Sequence, residues 1–375
     1  MSPTPTEAAL TAQASPTAQD RLLPLPAASA RDANILRTVG PVALLGGLVI
    51  INSSALINFN KVLMSKDMFP YSIILVLLHT AFCCVCAGVL LLIKPSLFPA
   101  LTDPEKKVNI DASFLMKRCL PVALFFSGQL VLSNSAYTYA SVAFLQMMKE
   151  SNVVLVYLLA LAAQVEVFRW RQAWLLFFIV LMTMVTVEGE IHFSLVGFAI
   201  QGLSCLCESG KIIVQGVLLS GGGRKLDPLS YVLIVSPLCF AFLVAILLVH
   251  VYAVPISVIA LPAWSEIVNH RWLLAANALV AFSLNVVIAL FIQYSSAIAF
   301  VVMGIVKDAM IVVASAAILH EPLSTQQMIG FPAQLMLVLL WSLLKAFPAQ
   351  FENGMVNGVR TFVKGDANKA EANKA

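Results

Sequence analysis

Long apolar runs separated by short polar stretches occupy most of the chain. An α-helix needs about 20 residues (range about 17–25) to cross a hydrocarbon core of about 30 Å. Short connections such as 138–140 and 319–324 are typical of tight hairpins between antiparallel helices. The pattern predicts an all-α polytopic membrane protein with ten transmembrane helices, at residues 41–63, 70–93, 116–137, 141–163, 171–188, 194–218, 229–252, 271–293, 297–318 and 325–346.

Composition supports this prediction. Of the 375 residues, 60% are hydrophobic and only 11% are charged, whereas soluble proteins carry about 25% charged residues. Apart from three lysines inside apolar segments, nearly all lysines and arginines fall on one side of the ten-helix arrangement, and only Lys61, Lys66 and Arg271 fall on the other. Because positive loops stay in the cytosol, both termini are predicted to be cytosolic.

Two pairs of opposite charges lie near the middle of apolar segments. Lys149-Glu150 interrupts the fourth segment and Lys307-Asp308 interrupts the ninth. A charge at the bilayer centre costs about 2.5–3.5 kcal/mol on insertion scales, so it normally serves a polar pathway or a ligand. The two pairs therefore predict a charged site inside the membrane.

The second half of the chain echoes the first. Glu166 and Gln172 follow the first charged pair, and Glu321 and Gln327 follow the second. Two repeats of five helices each must have opposite orientations, because five is odd, and this is an architecture of alternating-access carriers. The predicted organisation is a tail (1–38), a first repeat (39–190), a second repeat (191–346) and a C-terminal tail (347–375), with 39–346 as the transporter domain.

Four motifs in order resemble the triose-phosphate-translocator and nucleotide-sugar-transporter branch of the drug/metabolite transporter superfamily. They are AYTYASVAFLQMMK, GFAIQGLSCLCESGKIIVQGVLL with KLDPLSYVLIVSPLCF, VVMGIVKDAMIVVASAAILHEPLS, and the ending WSLLK at Trp341–Lys345. The resemblance covers residues 40 to 346. It is greatest to the endomembrane Lys-Asp subgroup, described in plants as probable sugar-phosphate/phosphate translocators, and implies transport of a sugar phosphate or nucleotide-sugar.

The chain also departs from the family pattern. Plastid phosphate translocators carry Lys-Arg in the ninth helix, where this chain has Lys307-Asp308. The family's fourth helix usually has a small residue and then proline after the lysine, but Glu150 and Ser151 follow here. Lys211 replaces a frequent arginine. These differences argue against classical triose-phosphate exchange and leave phosphate-type recognition open.

An anionic substrate inside a membrane requires fixed positive charge, and lysine ammonium groups bind phosphate as point charges. Lys149, Lys211 and Lys307 are the candidates, and in each case the alternative is a structural ion pair. Adjacent helical residues point about 100° apart, so at most one member of each charged pair is expected to face a cavity directly. The remaining candidates are polar residues for sugar hydroxyls or a base (Gln146, Asn285, Tyr294, with Asn60 and Gln293) and acidic charge partners (Glu150, Glu208, Asp308). Glu208 and Lys211 are spaced to pair on one helical face.

The leading hypothesis is an antiporter that exchanges a phosphorylated sugar or nucleotide-sugar for phosphate or a nucleoside monophosphate. The alternatives are an intramembrane enzyme, which predicts a motif such as G-x-S-x-G or H-E-x-x-H that the chain lacks, and a non-transporting receptor or scaffold. No cofactor or metal site is expected, because the seven cysteines lack ligand spacing with histidine. The expected partners are the substrate and the bilayer but not nucleic acid, and a homodimer stays open.

The termini bear on location. The first 38 residues lack a signal-peptide core and are expected to form a disordered cytosolic tail. Their acidic residues, Glu7, Asp20 and Asp32, argue against a plastid transit peptide. An endomembrane location, Golgi or ER, is therefore favoured over the plastid envelope. The C-terminal DANKAEANKA is polar and of low complexity, so it is expected to be disordered.

Overall fold

The structure, a computed structural model, describes residues 35–164, 166–220, 226–252, 260–294, 297–352 and 354–363. These residues form helices and their connections and no strand. The helices are α1 (Ile35–Leu63), α2 (Ser72–Ile93), α3 (Leu120–Ala136), α4a (Val142–Glu150), α4b (Asn152–Ala162), α5 (Trp170–Glu188), α6 (Leu195–Ser220), α7 (Pro228–Tyr252), α8 (Trp264–Tyr294), α9 (Ala297–Ile318), α10 (Thr325–Ala346) and α11 (Met355–Val363).

Each of the ten predicted segments corresponds to a helix. Within the described residues, eight spans are long and apolar enough to cross a membrane. These spans lie in α1, α2, α3 with the residues just before it, α4a and α4b together, α5, α7, α8 and α10. The chain is therefore a multi-pass integral membrane protein. The helices α6 and α9, which carry the central charges Glu208, Lys211, Lys307 and Asp308, are not among the eight.

The fourth segment, predicted as one helix, is broken at its charged centre. Ser151 separates α4a from α4b: its N–H and its hydroxyl both donate to the Met148 carbonyl, at 3.1 and 2.6 Å. The carbonyl of Met147, just before the break, accepts a hydrogen bond of 3.1 Å from Gln334 on α10. The break occurs without proline, and side chains supply the hydrogen bonds that the helix loses there.

The helices pack in pairs from the two halves of the chain. Helix α3 packs on α6 and α8 packs on α1, while α4b packs on α6 and α1 packs on α9. Three further pairs also join the two halves, namely α2 with α7, α4a with α9, and α5 with α10. Both halves therefore contribute to one bundle, and α4a and α9 lie side by side within it.

The two ends of the bundle differ. The end of the bundle at which α4a begins is called the hairpin end. The opposite end, at which α1 begins and α10 ends, is called the tail end. At the hairpin end, the Lys61 ammonium donates to the carbonyls of Tyr137 and Ala140 at 2.7 and 2.6 Å. The Glu321 carboxylate, from the loop before α10, accepts from the N–H groups of Val142 and Ala143 at 2.9 and 3.2 Å. These bonds hold α1, the start of α4a and the α9–α10 loop together.

A second group of contacts closes the same end. Glu190 accepts from the Ser141 hydroxyl at 3.2 Å and from the Gln327 amide at 2.6 Å. Beneath these polar bonds lies the largest apolar cluster, which includes the buried side chains of Met64 and Phe144. All residues of α4a from 142 to 148 are buried. The hairpin end is therefore packed shut around the first part of α4a.

Two predicted irregular stretches contain helical structure. The loop 94–115 includes short helical turns at Pro95–Leu97, Pro99–Thr102 and Ala112–Phe114, followed by a π-helical turn, Leu115–Cys119. The predicted C-terminal tail contains a 3-10 turn, Pro348–Phe351, and α11. Helix α1 begins at Ile35, before the predicted boundary at 39, and the rest of the predicted N-terminal tail, residues 1–34, lies outside the described residues.

Candidate functional site

Lys149 is the last residue but one of α4a. Its ammonium lies 3.8 Å from the Glu208 carboxylate on α6, which is an ion-pair contact but too long for a hydrogen bond. The Lys149 side chain is 36% exposed, although every preceding residue of α4a is buried. Because its charged neighbours, Glu208 and Asp308, belong to helices packed around α4a, this exposed surface faces the interior of the bundle.

Lys307 and Asp308 face the same interior from α9. The Lys307 ammonium pairs with the adjacent Asp308 carboxylate, and their side chains are 22% and 14% exposed. The Asp308 carboxyl also interacts electrostatically with Lys149 and Glu150 of α4a. The two charged pairs predicted from the sequence therefore meet across the α4a–α9 interface, and both members of the second pair take part.

Lys211 is the third lysine of the group. Its ammonium donates to the Gln129 side-chain oxygen on α3 at 2.9 Å and lies 4.6 Å from the centre of the Phe126 ring. The spacing of Glu208 and Lys211 suggested a pair on one face of α6. Instead, the hydrogen bond of Lys211 goes to Gln129, while Glu208 pairs with Lys149, because the packing of α3 and α4 on α6 offers each side chain a partner on another helix.

The six charged residues form what we call the central cluster: Lys149, Glu150, Glu208, Lys211, Lys307 and Asp308. Three ammonium groups and three carboxyl groups are thus held by α4a, α6 and α9. Within the part of the chain that the structure describes, the Lys149 ammonium has an ion-pair contact with Glu208 but no hydrogen bond, so its donors can serve another acceptor. The cluster is suited to binding a phosphate oxygen at Lys149 and adjusting its ion pairs to do so.

The other candidate residues occupy different places. Gln146 is buried in α4a, three residues before Lys149. Asn285 bonds the Cys83 thiol on α2 at 3.6 Å and the Ala281 carbonyl at 3.2 Å, at the α2–α8 interface. Tyr294 is 60% exposed at the end of α8. Their roles in substrate binding stay predictions, as do those of the lysines. The side chain of Gln293 lies outside the described residues.

Asn60 belongs to a chain of interhelical hydrogen bonds. It donates to Asn134 on α3 at 2.9 Å and accepts from Asn277 on α8 at 2.8 Å. Asn277 in turn bonds the His79 ring on α2. Four helices are thereby linked through buried polar side chains, the usual role of such groups between membrane helices.

Sequence reasoning missed three residues near the cluster. Gln129 supplies the hydrogen bond to Lys211, and Asn152 and Ser209 bond each other between α4b and α6. All three are polar positions within apolar segments, and this is the signal that identified the lysines. Among the described residues, no group of three histidine, cysteine or acidic side chains is placed to hold a metal ion.

Comparisons with known proteins decide the family. One probable sugar phosphate/phosphate translocator of Arabidopsis thaliana is 31% identical over 280 residues, which cover 73% of this chain and 77% of that protein. The chain belongs to this family. A second such Arabidopsis protein is 30% identical over 276 residues, and a third is 28% identical over 303 residues, covering 80% of this chain and 76% of its own length. No family model matches the chain.

Membership in this family fits the structure. The relatives are named as translocators, which are membrane transport proteins rather than enzymes. A bundle of apolar helices with charged side chains turned inward is the arrangement that movement of a polar solute through a bilayer requires. The protein is therefore a membrane transporter, and the resemblance found in the four motifs is confirmed.

Proposed function

We propose that this transporter exchanges a phosphorylated sugar or nucleotide-sugar for phosphate or a nucleoside monophosphate. The observation that carries the proposal is the convergence of Lys149, Lys211 and Lys307, from three helices, in the centre of the bundle. The lysines supply the positive charge, and Gln146, the buried amide nearest to Lys149 along α4a, is the candidate for sugar hydroxyls. That several relatives are named sugar phosphate/phosphate translocators supports the substrate class.

The arrangement of helix contacts supports ten spans in two inverted repeats of five. Each helix can be exchanged for its counterpart five helices earlier or later in the chain. The contact of α1 with α8 then becomes the contact of α6 with α3, and the contact of α1 with α9 becomes the contact of α6 with α4b. The contacts of α2 with α8 and of α4b with α5 likewise become those of α7 with α3 and of α9 with α10. In this arrangement Lys149 and Lys307 occupy corresponding helices, α4 and α9.

Alternating access is the proposed mechanism. The hairpin end is packed shut, and the part of α4a on that side of Lys149 is buried, so the exposed surface of Lys149 is reached from the tail end. A phosphate group that enters there replaces Glu208 as the partner of Lys149. Because the Lys149 ammonium and the Glu208 carboxylate are too far apart for a hydrogen bond, this exchange does not require a hydrogen bond between them to be broken. The movement that closes the tail end and opens the hairpin end then releases the substrate on the opposite side.

The proposed location is an endomembrane, Golgi or ER, with both termini in the cytosol. The positive residues concentrated in the tails and tail-end loops support this orientation. Import of a tagged chain into isolated plastids tests the location: we expect no import and no shortening of the chain. Import accompanied by loss of the first residues would place the protein in the plastid envelope.

Proteoliposome exchange tests the function. Vesicles containing the protein are preloaded in turn with inorganic phosphate, UMP or GMP, and uptake of labelled phosphate and labelled nucleotide-sugar is measured. We expect at least one preloaded anion to stimulate uptake severalfold over empty vesicles. If none does, the exchange proposal fails for these substrates.

The Lys307→Ala variant tests the site. If the Lys307 ammonium binds the anion, Lys307→Ala loses exchange activity while the protein remains monodisperse in detergent. The control is Lys66→Ala, at an exposed lysine of the hairpin end, and it is expected to keep the wild-type rate. If the pair is only structural, Lys307→Ala leaves Asp308 without its partner and the variant aggregates. The double variant Lys307→Ala/Asp308→Asn then restores transport, and a rate near wild type in that double variant refutes the ligand role.

A further inference from the structure

A cavity of about 420 Å³ lies at the tail end of the bundle. It is formed by the start of α5 (residues 169–172), by Leu344 near the end of α10, and by Pro348 and Glu352 after α10. Its volume is within the range of about 300–1,000 Å³ that is usual for small-molecule sites. None of these lining residues belongs to the central cluster, so the cavity is a separate feature of the molecule.

The lining of the cavity is positively charged. Arg169 and Arg171 are both exposed there. The Arg171 guanidinium donates to the backbone carbonyl of Phe351 at 2.7 Å and to that of Glu352 at 3.3 and 3.4 Å, which holds it in place without neutralising it. Among the described lining residues, the carboxylate of Glu352 offsets one of the two arginine charges, so one net positive charge is left. Guanidinium groups are well matched to phosphate oxygens.

The wall of the cavity also contains a buried acceptor. Gln172 is only 2% exposed, and within the described residues its side-chain oxygen accepts no hydrogen bond. Buried polar atoms nearly always have a partner, so an acceptor without one indicates a group that the protein alone does not supply. A ligand that brings a hydroxyl group into the cavity provides the missing donor.

Exposed aromatic side chains place the cavity at the membrane surface. Trp170 lines the cavity and is exposed, and the exposed ring of Phe168 contacts it with ring centres 5.1 Å apart. Trp174, one turn further along the membrane-spanning helix α5, is also exposed. Tryptophan side chains concentrate at the level of the lipid headgroups. The arginines beside Trp170 therefore lie at the depth of the phospholipid phosphates.

We propose that this cavity binds the headgroup of an anionic phospholipid from the leaflet at the tail end. Arg169 and Arg171 bind the phosphate, Gln172 accepts a hydrogen bond from a headgroup hydroxyl, and the acyl chains extend past the exposed aromatic side chains into the bilayer. Basic pockets between membrane helices are a known type of headgroup site. Because α5 and α10 belong to different halves of the chain, the bound lipid joins the two halves. The proposal does not depend on which solute is transported.

Lipid binding is measured by native mass spectrometry of the full-length protein in detergent. The probe is phosphatidylinositol, because its headgroup is anionic and carries hydroxyl groups. Phosphatidylcholine with the same acyl chains is the comparison, because its headgroup has neither a net charge nor a hydroxyl group. We expect phosphatidylinositol to bind at least about tenfold more tightly, since hydrogen bonds to charged groups are worth about a factor of ten or more. Equal affinities for the two lipids overturn the proposal.

Soluble competitors distinguish a lipid from a free phosphate compound. Inorganic phosphate and glycerophosphoinositol, which is the same headgroup without acyl chains, are added at the concentration of the lipid. We expect neither to displace phosphatidylinositol, because neither has acyl chains to contact the aromatic side chains. Displacement by either compound shows that the cavity binds a soluble anion, and it overturns the assignment to a lipid.

A change at Arg169 tests the position of the site. The quantity compared is the affinity for phosphatidylinositol divided by that for phosphatidylcholine in the same variant, which does not depend on the folded fraction. We expect Arg169→Gln to lower this ratio about tenfold, and Arg169→Lys, which keeps the charge, to retain most of it. The matched control is Arg271→Gln, at an exposed arginine next to Trp272 at the hairpin end, and it should leave the ratio unchanged. An unchanged ratio in Arg169→Gln, or an equal fall in Arg271→Gln, overturns the proposed site.

Discussion

Individual residues show what a sequence can and cannot reveal about a membrane site. The charges of the central cluster were identifiable because charge is rare in apolar segments, and the structure brings all six together. The partner of each lysine was not identifiable. Glu208 lies 59 positions after Lys149 in the chain, and only the packing of α6 on α4 determines that these two side chains pair.

The pair of Glu166 and Lys345 makes the same point at the tail end. Glu166 precedes α5 in the first half of the chain, and Lys345 ends the WSLLK motif in the second. Their charged groups lie 3.1 Å apart with side-chain exposures of only 3% and 6%, and the ammonium lies 5.1 Å from the centre of the Trp341 ring. The lysine of this motif therefore joins the two halves of the chain, which the motif alone did not indicate.

We predict that Lys345→Met lowers the stability of the protein strongly. Removing one member of a buried ion pair leaves the other charge without compensation, at a cost of about 3–5 kcal/mol. Thermal unfolding in detergent, followed by tryptophan fluorescence, is expected to show a lower transition temperature. The double variant Glu166→Gln/Lys345→Met is expected to recover most of the loss. If the double variant is as unstable as the single one, packing around Trp341 rather than the ion pair accounts for the effect.

At the scale of elements, the hydrophobic pattern predicted the bounds of the long helices to within a few residues, except that α1 begins at Ile35 rather than at 41 and that α8 also begins early. That helix begins at Trp264 rather than at 271, because Trp264, Ile267 and Val268 supply apolar positions around Glu266. The break at Ser151 was not predicted, since the chain has no proline there. It arises because the Ser151 hydroxyl competes for the Met148 carbonyl within the helix.

The contact between α5 and α10 depends on a glycine. A Cβ atom added at Gly330 of α10 lies 2.9 Å from a methyl carbon of Thr186 and 3.3 Å from one of Val185 on α5. We predict that Gly330→Ala forces these helices apart and destabilises the protein by about 1–3 kcal/mol.

Gly88→Ala in α2 is the matched control. Nothing lies within 4 Å of its added Cβ, so alanine is expected to be neutral or stabilising there, through its helix propensity of up to about 1 kcal/mol. Thermal unfolding of the two variants in detergent decides the prediction, and equal transition temperatures would contradict it.

For the whole molecule, the sequence predicted a membrane transporter with a charged centre, and the comparisons confirm the transporter family. The conformation was beyond sequence reasoning. Closure of the hairpin end depends on Lys61, Glu190 and Glu321, which come from three distant parts of the chain and meet only after the helices have packed. The sequence identified Glu321 only as part of the repeat and Lys61 only as a positive charge on that side, and nothing in it indicated that these residues and Glu190 would meet.

The last prediction concerns the balance between the closed and open hairpin end. The Glu321 carboxylate accepts the first two N–H groups of α4a, where it also complements the positive end of the helix dipole. It also attracts Lys61. The neutral amide of Glu321→Gln weakens both interactions. The N-terminus of α4a and Lys61 are then held less firmly, and the hairpin end opens more often.

A cysteine at a buried hairpin-end position measures this opening. Tyr137, 8% exposed in the closed end, is replaced by cysteine in a background where the seven native cysteines are changed to alanine or serine. The rate of reaction with a charged thiol reagent is then measured in detergent. A weakening by about 1.4 kcal/mol corresponds to a tenfold larger open population, so we expect Glu321→Gln to raise the labelling rate by up to about tenfold. Glu352→Gln, an exposed carboxylate at the tail end, is the control and should leave the rate unchanged. If Glu321→Gln also leaves the rate unchanged, the carboxylate does not hold this end closed, and the apolar cluster around Met64 and Phe144 closes it alone.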